Sequence, residues 1–160
     1  MDDIHFIPGK TKVYIHAACN VLYASYYIEG MKQFFESSNV FFNISRFPKF
    51  KEDVFAAIIK QENGIQKKII IDFLDSSKID ADSLAWCDVY GKVNLEAITY
   101  DSQPLPQKII PVGPNFAIRV WNLSQTLYYS LSNLIKSYKV LPDYKKFLSN
   151  YKQQFLKCVE

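Results

Sequence analysis

Short apolar runs of strand length, separated by stretches of helical spacing, predict an α/β domain with a doubly wound, mainly parallel sheet. Helices should cover both faces, and two more should close the C-terminal end. Three observations carry this. Runs such as KKIIIDFLD at residues 67–75 are continuously apolar at their centre instead of alternating, as in strands covered on both sides. Elsewhere apolar positions recur every three or four residues, one face of a helix. The 160 residues, 49% hydrophobic and 22% charged, also suffice for one domain with a proper core.

The chain opens with a strand at residues 12–19, KVYIHAAC, after which Val21, Ala24, Ile28, Met31 and Phe35 share a helical face. The unit then repeats. Residues 39–45, NVFFNIS, predict a second strand, and residues 52–61 a second helix with Phe55, Ile58 and Ile59 on one face, closed by Gly64. Residues 67–75 give the clearest strand. A short connection at 80–86 leads to strands at 88–95 and 108–112, with a proline-bearing loop at 101–107 between them. Asn122 is the expected N-cap of a long amphipathic helix whose stripe is Leu123, Leu127, Leu131, Leu134 and Tyr138. Pro142 ends it, and a last helix from Asp143 carries Tyr144, Phe147, Leu148, Tyr151 and Phe155. Residues 1–160 thus read as one Rossmann-like domain, with 122–160 as its C-terminal helices.

Several function classes fall on composition and spacing. A net charge of +3 with lysines dispersed along the chain lacks the dense basic stripe of a phosphate-backbone reader, so no nucleic-acid partner is expected. Cys19, Cys87 and Cys158 are widely spaced and odd in number, with only His5 and His16 to complete a metal site. That pattern fits a reducing compartment and no metal. No apolar run reaches the roughly 18 residues of a membrane span, and Asp2 and Asp3 beside Met1 do not resemble a signal peptide. A cytoplasmic protein is expected, with contact at the inner face of the membrane left open. The sequons at Asn43 and Asn122 would then go unused. Five glycines, Gly9, Gly30, Gly64, Gly91 and Gly113, cannot spell G-x-G-x-x-G or a Walker loop, and no G-x-S-x-G elbow is present. No cofactor is implied.

In open α/β sheets ligands bind outside the carboxyl ends of the strands, and this rule nominates residues by position. After the first strand come His16, either a core histidine or a base, and Asn20, either a helix cap or a ligand group. Arg46, one of two arginines, follows the second strand and could fork onto a carboxylate or phosphate, or make a surface ion pair. Asp72 and Asp75 close the third strand as a base, a hydroxyl acceptor or merely the exit to solvent. Lys92 and Asn94, two apart, would share a strand face and bind hydroxyls or phosphate, unless they are the polar face of an edge strand. Tyr23, Tyr26 and Tyr27 could stack on sugars or lipids, or belong to the core. Lys136, Lys139, Lys145, Lys146, Lys152 and Lys157 could meet an anionic membrane or be solvated.

Two stretches carry a resemblance. DVYGKVN at residues 88–94, followed by KIIPVGPNFAIR at 108–119, resembles the "D-x-Y-x-K-x-N" and "K-(I/V)-x-P-(I/V)-G-P-x-F" strands in the acceptor-side, N-terminal domain of GT-B type bacterial glycosyltransferases of surface polysaccharide synthesis. The likeness extends over the whole chain as one half of such an enzyme. It implies transfer of a sugar from a nucleotide-sugar donor to a saccharide or lipid-linked acceptor. Acceptor contacts would come from Asn20, Tyr23, Arg46, Asp75, Lys92, Asn94, Asn115 and Phe116, with His16 and Asp72 as catalytic candidates. Pro111, Gly113 and Pro114 would bend the chain so that Asn115 and Phe116 face the cleft. The donor would be held mostly by a second domain that this sequence does not include. The glycine-rich turn that many relatives carry after the first strand is replaced by Cys19, Asn20 and Val21.

Two other readings stay open. One is a stand-alone, non-catalytic Rossmann-like binding module whose C-terminal apolar stripe is an interface. The stripe separates the two, since it either packs on its own sheet or leaves an exposed patch beyond roughly 600 Å2. The other is a small enzyme with a phosphorylated substrate, whose phosphate would sit at the start of the helix after Asn20.

Overall fold

The computed structural model describes residues 6–50, 54–96, 103–113 and 116–157. It is an α/β domain. Its strands are β1 (Thr11–His16), β2 (Val40–Asn43), β3 (Val54–Gln61), β4 (Gln66–Asp72), β5 (Val89–Lys92) and β6 (Ile109–Pro111). The helices are α1 (Val21–Phe35), α2 (Ala81–Trp86), α3 (Leu123–Ser137) and α4 (Tyr144–Lys157). They build one six-stranded sheet in the order β2-β1-β3-β4-β5-β6.

The sheet is mostly parallel, as expected, but mixed. β1 pairs parallel with β2, and β4 with β5 and β5 with β6 likewise, whereas β3 runs antiparallel to both β1 and β4. Here the structure corrects the sequence reading, because the helix expected at 52–61 is this central strand. Phe55, Ile58 and Ile59 do fit a helical period. Yet Val54 to Ile59 are all buried, with Phe55, Ala57 and Ile59 in the core on one side of the sheet and Val54 and Ala56 in the core on the other. A short apolar run buried on both sides has no period to read. Gly64, expected to close a helix, turns a hairpin instead, at φ +89°. Asn63 and Gly64 together are the local signal that would have shown it.

Two layers cover the sheet. On one side α1, α3 and α4 close a core that includes Val13, Ile15, Ile28, Phe55, Trp121 and Tyr151. On the other, the residues expected to be a mere connection form α2, capped by Asp80, whose carboxylate accepts the Ser83 N–H at 2.9 Å. Leu84 of α2 packs with Val54, Ile70 and Tyr90, flanked by Phe47, Phe50 and Trp86. The strand expected at 88–95 is shorter, ending at Lys92. Gly91 sits where it does because of close packing: a Cβ there would lie 2.7 Å from Ile71 Cδ1 and 3.0 Å from Val112 Cγ1. Pro111 ends β6 at the sheet edge, where a missing N–H does no harm.

The C-terminal helices form as expected, and Asn122 caps α3 in a reciprocal box with Gln125. The facing of α3 is reversed. Its buried residues are Thr126, Ser130, Asn133 and Ser137, while Leu123, Leu127, Leu131 and Tyr138 of the expected stripe are exposed. Only Leu134 of that stripe packs against the core. The small hydroxyls tolerate burial because they bond back to their own helix: Thr126 to the Asn122 carbonyl at 2.8 Å, Ser130 to Leu127 at 3.0 Å, and Ser137 to Asn133. Asn133 donates to the Tyr151 hydroxyl of α4 at 2.8 Å. Among the described residues, no helix is long and apolar enough to cross a membrane.

Candidate functional site

The parallel strands β1, β2 and β4 all point their carboxyl ends to one place. β1 finishes at His16, β2 gives way to Ile44 and β4 to Leu74, and these line a cleft of about 500 Å3. The loop after β2 supplies one wall with Phe47, Pro48, Lys49 and Phe50, and the α3–α4 turn with the first two turns of α4 supplies the other with Asp143, Lys146, Phe147 and Asn150. A βαβ start followed by a long excursion explains why the opening is here: α1 leaves from Asn20 and α4 returns to pack against α1.

His16 is the centre of the floor. It is 8% exposed, and its ring meets Phe47 and Phe50 edge-on, each at 5.2 Å between centroids. Burial pushes its pKa down to about 4, so the imidazole is neutral near pH 7. Among the described residues no hydrogen bond is made to the imidazole, and its residue lines the cleft. Asn20 beside it does what a cap does, accepting the Leu22 N–H at 3.2 Å, and also lines the cleft. Asp143 caps α4 by accepting from the N–H groups of Lys145 and Lys146 at 2.8 and 3.0 Å. Two helix N-termini, the lysines Lys49 and Lys146 and the carboxylate of Asp143 thus share one lining, an environment suited to oxygen-rich ligands.

Of the described residues expected at the site, His16 and Asn20 line the cleft and the others do not. Asp72 is 2% exposed and fully engaged: its oxygens take the Tyr90 hydroxyl at 2.7 Å, the Lys92 ammonium at 3.1 Å and the Leu74 N–H at 2.9 Å. Lys92 is wholly buried on an interior strand, not an edge, and also donates to the Leu74 carbonyl at 2.8 Å. Asn94 reaches the carbonyl of the exposed Asp75 at 3.0 Å. These four fasten the β4 exit loop. The Arg46 guanidinium lies over the Tyr14 ring, 4.1 Å from its centroid. Tyr23 is exposed beside Phe73, and Phe116 is 75% exposed. Asn115 and Pro114 lie outside the described residues.

The chain matches no family model, no curated protein and no solved structure. Its chemistry must be read from the cleft alone. Phe47, Lys49 and Phe50 were within reach of the positional rule that nominated Arg46, being its immediate neighbours after β2. Asp143, Lys146 and Asn150 had no local signal, since only the docking of α4 brings them there. Among the described residues, no three His, Cys, Asp or Glu side chains gather as a metal would require.

Proposed function

We propose that the cleft binds a saccharide, free or lipid-linked, and that the domain is the acceptor-side half of a GT-B type glycosyltransferase. Its sugar would come from a nucleotide-sugar donor held by another unit. The observation that supports this reading most is the lining: an imidazole neutral near pH 7 packed against two phenylalanine rings, in one cleft with Asn20, Asn150, Lys49 and Lys146. Aromatic walls suit the apolar faces of a sugar ring, and amide and ammonium groups suit its hydroxyls. The carboxyl-end location is where a doubly wound sheet takes a ligand.

A second reading, a non-catalytic Rossmann-like binding module, has its own support. Asp72 has every bond it needs inside the protein, and the carboxylate that does line the cleft, Asp143, caps α4. Among the described residues, no acidic side chain bonds His16 to share proton transfer.

Saturation-transfer NMR on the purified chain with a panel of mono- and disaccharides tests the site. Signal on sugar protons that disappears in Phe50→Ala and weakens in Asn150→Ala is the expected result. Silence across the panel, with inorganic phosphate alone shifting the Lys49 and Lys146 resonances, would overturn it in favour of a phosphorylated substrate.

A further inference from the structure

Outside the cleft, α3 carries a second feature. Leu123, Leu127, Tyr128, Leu131, Ile135 and Tyr138 follow one another along a single side of the helix, and each is more than half exposed. The helix has turned its small polar side to the protein and its large apolar side to water. A continuous apolar face of this kind marks a surface that something covers.

The charges nearby select what covers it. From 123 to 157 the sequence has six lysines and one acidic residue, Asp143. α3 itself has no acid, and at its C-terminal end Lys136 and Lys139 are exposed, Lys139 Nζ lying 5.8 Å from the centre of the Tyr138 ring. On α4, Lys145 and Lys152 are exposed as well. Two copies meeting through this face would add the lysines at the end of α3 and no acid to the contact, which leaves it without charge complementarity. An anionic bilayer has the opposite sign. It also offers hydrocarbon for the leucines and a headgroup layer where a tyrosine ring can keep its hydroxyl wet.

We propose that α3 is a membrane-surface helix: its apolar face sinks into the plane of an anionic bilayer while the lysines around it meet the lipid phosphates. At 15 residues it is about 22 Å long, too short to span but suited to lying flat. This inference does not depend on the occupant of the cleft.

Co-sedimentation of the purified chain with phosphatidylcholine vesicles, alone and mixed with phosphatidylglycerol, tests it, alongside light scattering for oligomeric state. The chain should bind the mixed vesicles, bind them more weakly as salt rises, and bind the neutral ones poorly. Leu131→Gln/Ile135→Gln should lower the partition coefficient by about tenfold or more without changing the melting temperature. Lys136→Gln/Lys139→Gln should reduce the preference for anionic lipid. Absence of vesicle binding, or binding indifferent to Leu131→Gln/Ile135→Gln, overturns the proposal. So does a dimer in solution that the same double variant dissociates, which would make a second copy the cover.

Discussion

Asp72 shows how a residue chosen for its chemistry can turn out to be structural. It closes β4 directly opposite Lys92 of β5, its register partner in the parallel pair, so the two charges meet inside the sheet at 3.1 Å. Burial of such a pair is tolerated because each side has further bonds, Asp72 from Tyr90 and Leu74, Lys92 to Leu74. Asp72→Asn would leave the ammonium of Lys92 uncompensated, and we expect a loss of about 3–5 kcal/mol in urea unfolding. Asp75→Asn, at an exposed position, should change stability by no more than about 0.5 kcal/mol. An Asp72→Asn protein that kept its stability but lost saccharide binding would return this carboxylate to the ligand. Residue type and spacing made Asp72, Lys92 and Asn94 visible in the sequence as polar groups near strand ends. That Asp72 would pair with Lys92 and Tyr90, and Asn94 with Asp75, was not visible, because each of these bonds joins the ends of β4 and β5 across 18 or more residues of chain.

Among the elements, β3 and α3 departed from expectation for related reasons. In β3 burial is so complete that hydrophobic pattern cannot choose between strand and helix, and the hairpin to β4 chooses. In α3 the pattern chose the helix correctly and the wrong side of it. Its polar face is lined by residues small enough to let α4 approach, and Asn133 finds the Tyr151 hydroxyl there. The outcome can be tested by exchanging the two sides. Ser130→Leu should lower stability by about 1–3 kcal/mol through overpacking. Leu131→Ser, on a residue 57% exposed, should stay within about 0.5 kcal/mol of the parent in thermal melts. The reverse ranking would mean that the apolar stripe is the packed face after all.

Over the whole domain, the cleft ties stability to pH through His16. Burial lowers its pKa from 6.5 to about 4. The unfolded chain therefore binds a proton that the folded one refuses, and folding is favoured most above pH 6.5. Stability contributed this way is lost as pH falls from there toward 4, by about 3 kcal/mol at most. In His16→Gln the melting temperature should fall less steeply over that window, while the profile above pH 7 stays parallel to the parent's. The charged groups that share the cleft, Lys49, Lys146 and Asp143, are kept unchanged in that comparison. Equal slopes in both proteins would place the buried imidazole elsewhere than the floor of the cleft.

Local apolar runs and helical spacing were enough to predict the α/β class, the first βαβ unit, the capped C-terminal helices and the end of the sheet at which the cleft opens. Each of these depends on a few neighbouring residues: Asn20 before α1, Asn122 before α3, His16 at the end of β1. The direction of β3, the side of α3 that faces inward, the pairing of Asp72 with Lys92 and the joining of Asn150 to His16 across one cleft were decided by the tertiary structure. The physical reason is common to all four: burial and partnership arise from segments distant in the chain, and a side chain is core, ligand or surface only according to what packs against it.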